Sequence, residues 1–196
     1  MSNDVGARAP RPHRGWHERG YLPHFDAGAV VQTVTFRLAD SLPREFYEKA
    51  AAVASNDKER FFILEKGIDQ GKGSCLLTDH ACATIVRRTL EHFDGEQYLL
   101  LAWVIMPNHV HVMIEQIAGY SLTNVVQSWK SVSAHAIDKA MGTRGQVWSP
   151  DYFDRFVRDG EHYANAKYYI EYNPVKARLA DKPENWSYSS ASALAK

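Results

Sequence analysis

Cysteine is scarce in this chain: Cys75 and Cys82 are the two thiols among 196 residues. That pair forms neither a zinc-cluster spacing nor a disulfide framework, and the expectation is two reduced thiols in a cytoplasmic protein. Long apolar runs are lacking too. Nothing approaches the roughly 18 consecutive apolar residues that cross a bilayer. Residues 1–20 carry Arg8, Arg11, Arg14 and Arg19 with Pro10 and Pro12 but no apolar stretch, which excludes a signal peptide and a membrane span. Net charge is absent as well, with 23 Lys and Arg against 23 Asp and Glu. The overall charge therefore argues for no particular partner, and any basic surface has to arise by segregation in the fold. No internal repeat or low-complexity run is present.

What the chain does hold is core material, 45% apolar and 12% aromatic. At this length the expectation is one compact domain over residues 25–190, preceded by a flexible basic arm (1–24) and followed by a short tail (191–196). Residues 30–38 are β-branched and alternate from Val34 onward, as a strand does. Residues 43–54 and 57–69 look helical and read as a helical insertion of about 43–70, closed by the Gly71 to Ser74 turn. Asp79 can cap a helix whose Cys82, Ile85, Val86, Leu90 and Phe93 form one apolar stripe. Residues 98–106 are almost continuously apolar, which predicts a central strand covered on both faces, and Pro107-Asn108 turns the chain into an antiparallel strand over 109–116. Ser121 can cap a long helix buried through Leu122, Val125, Val126, Trp129, Val132, Ala136 and Ile137. Residues 152–158 suit an edge strand, and Gly160 opens a last helix through Tyr172. This order predicts an α+β, ferredoxin-like single domain, a mostly antiparallel central sheet with helices packed on it.

The chemistry concentrates in two places. His109-Val110-His111 puts two imidazoles on one face of a strand, because strand side chains alternate. Nine histidines in the chain make one such pair unsurprising by chance. Its flanks are more informative: Val110 and Val112 turn the opposite face toward a core, so the histidine face opens toward a cleft where both rings can bind one metal. The histidine-triad hydrolase pattern needs a third histidine as nucleophile, and Met113 stands there instead. The second place is the last helix, where Tyr163, Tyr168, Tyr169 and Tyr172 are candidate nucleophiles. Tyr169 is distinguished by Asn173 four residues on, which shares its helical face and can offer an amide oxygen to the metal. Pro174 should break or kink the helix at that point.

At this stage a resemblance emerges. The segment from Trp103 to Met113 around Pro107-Asn108-His109-Val110-His111 resembles the HUH block of single-tyrosine transposases. The segment Tyr169-Ile170-Glu171-Tyr172-Asn173-Pro174-Val175-Lys176 resembles the tyrosine block of the REP-associated tyrosine transposases, relatives of the small insertion-sequence transposases. Val147-Trp148, Asp154-Arg155, Arg158, Trp186 and Ser189-Ser190 sit where that branch has similar residues, so the resemblance spans about residues 16–190. It implies metal-dependent cleavage and strand transfer of single-stranded or hairpin DNA. Tyr169 would form a 5′-phosphotyrosine, and His109, His111 and Asn173 would bind Mg²⁺ or Mn²⁺. Relatives often carry Gln where Asn173 stands.

Trp16, Arg14 and Arg19 in the arm, Lys130 in the long helix, and Arg155 and Arg158 before the tyrosine helix are candidate DNA contacts through stacking and phosphate pairing. The assembly is expected to be a monomer or a homodimer. Two other readings stay open: a domesticated hairpin-binding protein with little cleavage, and a metal-dependent phosphoesterase whose water nucleophile would make Tyr169 dispensable.

Overall fold

The computed structural model describes residues 15–19, 22–26, 30–54 and 57–192. Two short strands come first, β1 (Gly15–Arg19) and β2 (Leu22–Asp26), paired antiparallel as a separate hairpin. Within the arm expected over 1–24, residues 15–19 and 22–24 are paired backbone, and its other residues lie outside the described ones.

The main sheet contains β3 (Val31–Leu38), β4 (Tyr98–Ile105), β5 (His109–Gln116) and β6 (Trp148–Phe156). Its strand order is β4-β5-β3-β6, antiparallel at every pairing. The helices are α1 (Arg44–Val53), α2 (Asp57–Ile68), α3 (His80–Glu91), α4 (Leu122–Met141) and α5 (Gly160–Lys176). Setting the hairpin and the α1–α2 pair aside, strand, helix, two strands, helix, strand is the α+β, ferredoxin-like order expected from the sequence.

Each sheet strand has two different faces, and each face is covered by different helices. On β5, Val110, Val112 and Ile114 join Val34, Phe36 and Leu38 of β3 in the main core, closed by α3 and α4 through Cys82, Val86, Leu90, Val125, Val126 and Trp129. The other face of β5 carries His109, His111 and Met113. Met113 packs with Ala102, Val104 and Ile170 beneath α5, while Leu64 and Ile68 of α2 pack near Phe153 of β6. The histidines thus lie between the sheet and a second helical layer. None of the helices among the described residues is long and apolar enough to cross a membrane.

Local signals place the helix ends. Asp79 accepts from the Cys82 amide, Ser121 from the Asn124 amide and Asp159 from the His162 amide, each satisfying one of the free N–H groups of a first turn. Gly142 ends α4 in the left-handed region at φ 67°, a conformation that costs glycine nothing.

Three expectations are corrected. First, β4 is an edge strand and not a central one; its apolar run reflects cover on both faces. Its outer edge is paired locally by the C-terminal segment, with Ile105 N donating to Tyr188 O and Ser190 N to Trp103 O. Second, α5 does not end at Tyr172 but runs through Pro174 to Lys176. The proline removes one N–H, but packing of Ile170 and Asn173 at this level holds the helix in place. Third, Val132 of α4 is 53% exposed, and its place in the core is taken by Ser133. The Ser133 hydroxyl donates to Trp129 O at 2.6 Å and accepts from Trp148 Nε1 at 2.9 Å, so it is satisfied without water. Ser133→Ala should cost about 1–3 kcal/mol by stranding the buried Trp148 N–H, whereas Val132→Thr should change stability by less than about 0.5 kcal/mol. Urea denaturation of both variants measures the difference.

Candidate active site

His109 and His111 emerge from β5 with their rings in edge-to-face contact, centroids 4.6 Å apart, and both are almost fully buried. Each ring is held from behind. His109 Nδ1 lies 2.7 Å from Asn108 Oδ1, and the Asn108 amide nitrogen donates to Ile68 O and Lys72 O. With the nitrogen end of Asn108 committed to two carbonyls, its oxygen faces His109, so His109 Nδ1 carries the hydrogen and Nε2 keeps its lone pair. His111 Nδ1 is 2.7 Å from Thr35 Oγ1 on the neighbouring strand, where the register pairs Thr35 with His111. The two Nε2 atoms face one another at 3.0 Å. Burial, and then the neighbouring His111 and Lys176, hold the His109 pKa well below its usual value; burial above all brings His111 down to about 4. Both rings are therefore neutral near pH 7, the form that ligates metals.

A third group that could hold a metal with them is Asp69, immediately after α2. Its Oδ1 is 3.9 Å from His109 Nε2, and ligand atoms of Asp69, His109 and His111 all lie within 4.8 Å of one another. Asp69 Oδ2 accepts from Lys176 Nζ at 2.7 Å, but Oδ1 is buried with no hydrogen-bond partner among the described residues. An unpaired buried carboxylate oxygen beside the His109 Nε2 lone pair and the neutral His111 ring fits a divalent cation. Two nitrogens bound at right angles to one ion at about 2.1 Å stand about 3 Å apart, as these do.

Tyr169 packs its ring edge against His111, centroids 5.5 Å apart, and lines the cleft between α2, α5 and β6. Among the four candidate tyrosines it alone lines that cleft. Tyr168 and Tyr172 stack on one another on the exposed side of α5, and Tyr163 packs toward the apolar cluster beneath the helix. Glu65 lies close enough to the Tyr169 hydroxyl to shift its pKa, and Lys176 Nζ sits 5.0 Å from the ring centroid. Burial raises the phenol pKa strongly, with Glu65 and Asp69 adding to the rise, so the resting side chain is a protonated phenol. Burial, then Asp69, pushes the Glu65 carboxyl up to about 7.

Asn173 lies one turn beyond Tyr169, buried and near enough to the phenol to lower its pKa. Its amide nitrogen has no well-formed hydrogen bond among the described residues. The carboxylate grouped with the two histidines is that of Asp69, which sequence reasoning did not select. Arg155 lines the cleft, and Arg158, whose backbone N–H donates to His162 Nδ1, joins it in lowering the His162 pKa after burial. Lys130 is elsewhere: its Nζ donates to Pro150 O at 2.6 Å in a separate hollow between α4 and β6, and burial brings its pKa down to about 8. Trp16 and Arg19 fall on β1, whose side chains lie outside the described residues, as does Arg14 altogether. Glu65, Asp69 and Thr35 were missed because no motif spacing links them to His109, and Asn108, beside His109, was read only as part of the turn; the one local hint for the carboxylates is that Glu65 and Asp69 are four residues apart.

A four-stranded antiparallel sheet with paired histidines on one inward face and a tyrosine helix laid across them defines a class. Residues 75–173, half of the chain, match the family described as "Transposase IS200 like", and the chain belongs to that family. The chain is similar to the REP-associated tyrosine transposase of Escherichia coli K12, 25% identical over 89 residues that cover 45% of this chain. That match spans about half, 52%, of the relative's length. The fold is also similar to a solved REP-associated tyrosine transposase bound to a REP hairpin, with a TM-score of 0.59 at 17% identity, covering 88% of this chain and 82% of that one.

Two expected outcomes follow from this geometry. Thr35→Val removes the oxygen that orients His111 while keeping its shape, and should weaken Mn²⁺ binding about 10–100-fold by calorimetry with the fold unchanged. In chelator, a Glu65 pKa raised from 4.5 to about 7 confers stability that is present below pH 4.5 and lost as pH rises through 7. Melting temperatures of the native chain should fall relative to Glu65→Gln across that interval, and parallel curves would refute the raised carboxyl.

Proposed function

We propose that the protein cleaves and rejoins single-stranded DNA at hairpin sequences through a covalent 5′-phosphotyrosine on Tyr169, and that DNA transposition is the outcome. The observation that carries the reading is the meeting of Tyr169 with His111 and Asp69 in one cleft, with the His109 ligand atom within 4.8 Å of theirs. Similarity to a transposase solved with a REP hairpin supports hairpin DNA as the partner.

Attack by Tyr169 Oη on the scissile phosphorus forms the Oη–P bond as the P–O3′ bond breaks, leaving a free 3′-hydroxyl on one strand end and the 5′-phosphate on the tyrosine. The phosphodiester energy is kept in the new bond, so reversal on another 3′-hydroxyl rejoins DNA without ATP. The phenolic proton must leave during attack, and the nearby Glu65 carboxylate is the acceptor proposed for it. Lys176, close to both the Tyr169 ring and Asp69, places a positive charge where phenolate and phosphate charge accumulate. His109, His111 and Asp69 would hold the divalent ion, Mg²⁺ or Mn²⁺, with Asn173 as a further candidate ligand. The chemistry such an ion supplies is withdrawal of charge from the phosphate oxygens. Arg155 and Arg158 stand where they can pair with flanking phosphates, a role proposed for them ahead of Lys130.

Incubation with labelled hairpin DNA and Mn²⁺ or Mg²⁺, followed by denaturing electrophoresis, should give a covalent protein–DNA band. Chelator or Tyr169→Phe should abolish it, while Tyr169→Phe retains hairpin binding. Tight binding without a band for any of a panel of hairpins would favour the hairpin-binding reading, and phosphoester hydrolysis surviving in Tyr169→Phe would favour the phosphoesterase.

A further inference from the structure

The cleft that holds Tyr169 continues beyond the reacting groups, and its outer part is built differently. The whole cavity is about 310 Å³, larger than the reacting groups alone need. Its wall on α2 carries Phe62, one turn before Glu65 and Lys66, with 57% of its surface exposed. A single exposed aromatic residue is unremarkable in itself. This ring, however, lines the same cleft as the proposed nucleophile and has the Lys66 ammonium 5.3 Å from its centroid. Facing α2 across the cleft, α5 contributes His162 and Asn165, one turn before Tyr169, and the β6 floor contributes Arg155.

We propose that Phe62 and Lys66 form a subsite for one unpaired nucleobase next to the scissile phosphate. The inference rests on the single-strand cleavage reading above and adds to it a residue that positions the strand. The chemistry of the walls selects such an occupant. A flat aromatic face takes any base by stacking. The amide of Asn165 can donate and accept along a base edge, and Lys66 and Arg155 match the negative phosphates on either side. A peptide or lipid chain would leave these donors and cations unanswered. Because Phe62 lies on the same helix as Glu65 and just ahead of Asp69, a base stacked there fixes the distance between the strand and the metal-ligating and proton-accepting groups. Phe62 is thus a positioning residue, and its loss should act on strand placement and not on the chemistry of Tyr169.

The test uses synthetic DNA hairpins with single-stranded flanks, in two arms. In the first, covalent-adduct rates are compared for normal and abasic flanking positions, in the native chain, Phe62→Ala and Phe62→Trp. At one position the abasic site should slow the native chain on the order of 5- to 150-fold, the range of one base–aromatic stack. Phe62→Ala should show that loss on the normal strand and no further loss on the abasic one, and Phe62→Trp should restore the rate. In the second arm, 2-aminopurine at successive flanking positions is titrated with Tyr169→Phe, and its fluorescence should be quenched at one position and recover in Tyr169→Phe/Phe62→Ala. Adduct formation with abasic and Phe62→Ala losses that multiply, or with no loss from Phe62→Ala, overturns the subsite while leaving the cleavage reading intact. Phe62-dependent quenching without any adduct sustains the base subsite and sinks the cleavage reading. Absence of both effects overturns the subsite.

Discussion

Two imidazole nitrogens facing each other at 3.0 Å, buried with an unpaired carboxylate oxygen nearby, form the constraint around which this molecule is arranged. Two neutral imidazoles brought this close in a low-dielectric interior need groups behind them to fix the orientation of their rings. Here the holding is done from behind, by Asn108 on one ring and Thr35 on the other. Asn108 is itself held by two backbone carbonyls, from Ile68 and Lys72. Ring orientation is therefore tied to the end of α2 and to the β3–β5 register, and any slip of that register would turn both histidines into the aliphatic core.

That dependence explains the sheet's unequal faces. One is closed by α3 and α4, with Trp129 packed against both Phe36 and Tyr98 and donating its N–H to the Tyr98 hydroxyl. The other is split between two small clusters, under α5 and under α1–α2, and the cleft opens between them. A rigid, fully packed layer on one side lets the opposite side carry buried polar groups. The C-terminal segment adds a brace: Ser190 bonds both Trp103 N and Glu171, and Trp186 donates to Ile105 O, tying the tyrosine helix to β4.

The helical pair before residue 70 proves more than an appendage. Through α2 and the residue after it, the pair delivers Glu65 to the phenol and Asp69 to the imidazoles, and the Asp69–Lys176 ion pair closes α2 against α5. Glu65, Asp69 and Lys176 thus come from two regions over 100 residues apart in the chain, locked by one short ion pair.

Local chemistry made much of this legible. Alternation in 109–116 put both histidines on one face, Ser121 and Asp79 marked helix starts, and the four-residue step from Tyr169 to Asn173 predicted a shared helical face. These follow from backbone periodicity and first-turn hydrogen bonding, which act over a few residues. Val132 was misjudged because a helical stripe is only as wide as what packs on it, and Ser133 becomes core once Trp129 and Trp148 satisfy its hydroxyl. The run from Tyr98 to Met106 could not reveal whether its edge is paired by another strand or by a distant segment. Sequence by itself determined the strand and helix periods, the inward imidazole pair and the tyrosine on a helix face. Tertiary structure alone decided that Asp69 is the carboxylate beside them, that Glu65 meets the phenol, and that Lys130 stands apart. Such contacts depend on how helices seat on a sheet, and no periodicity within either segment encodes that.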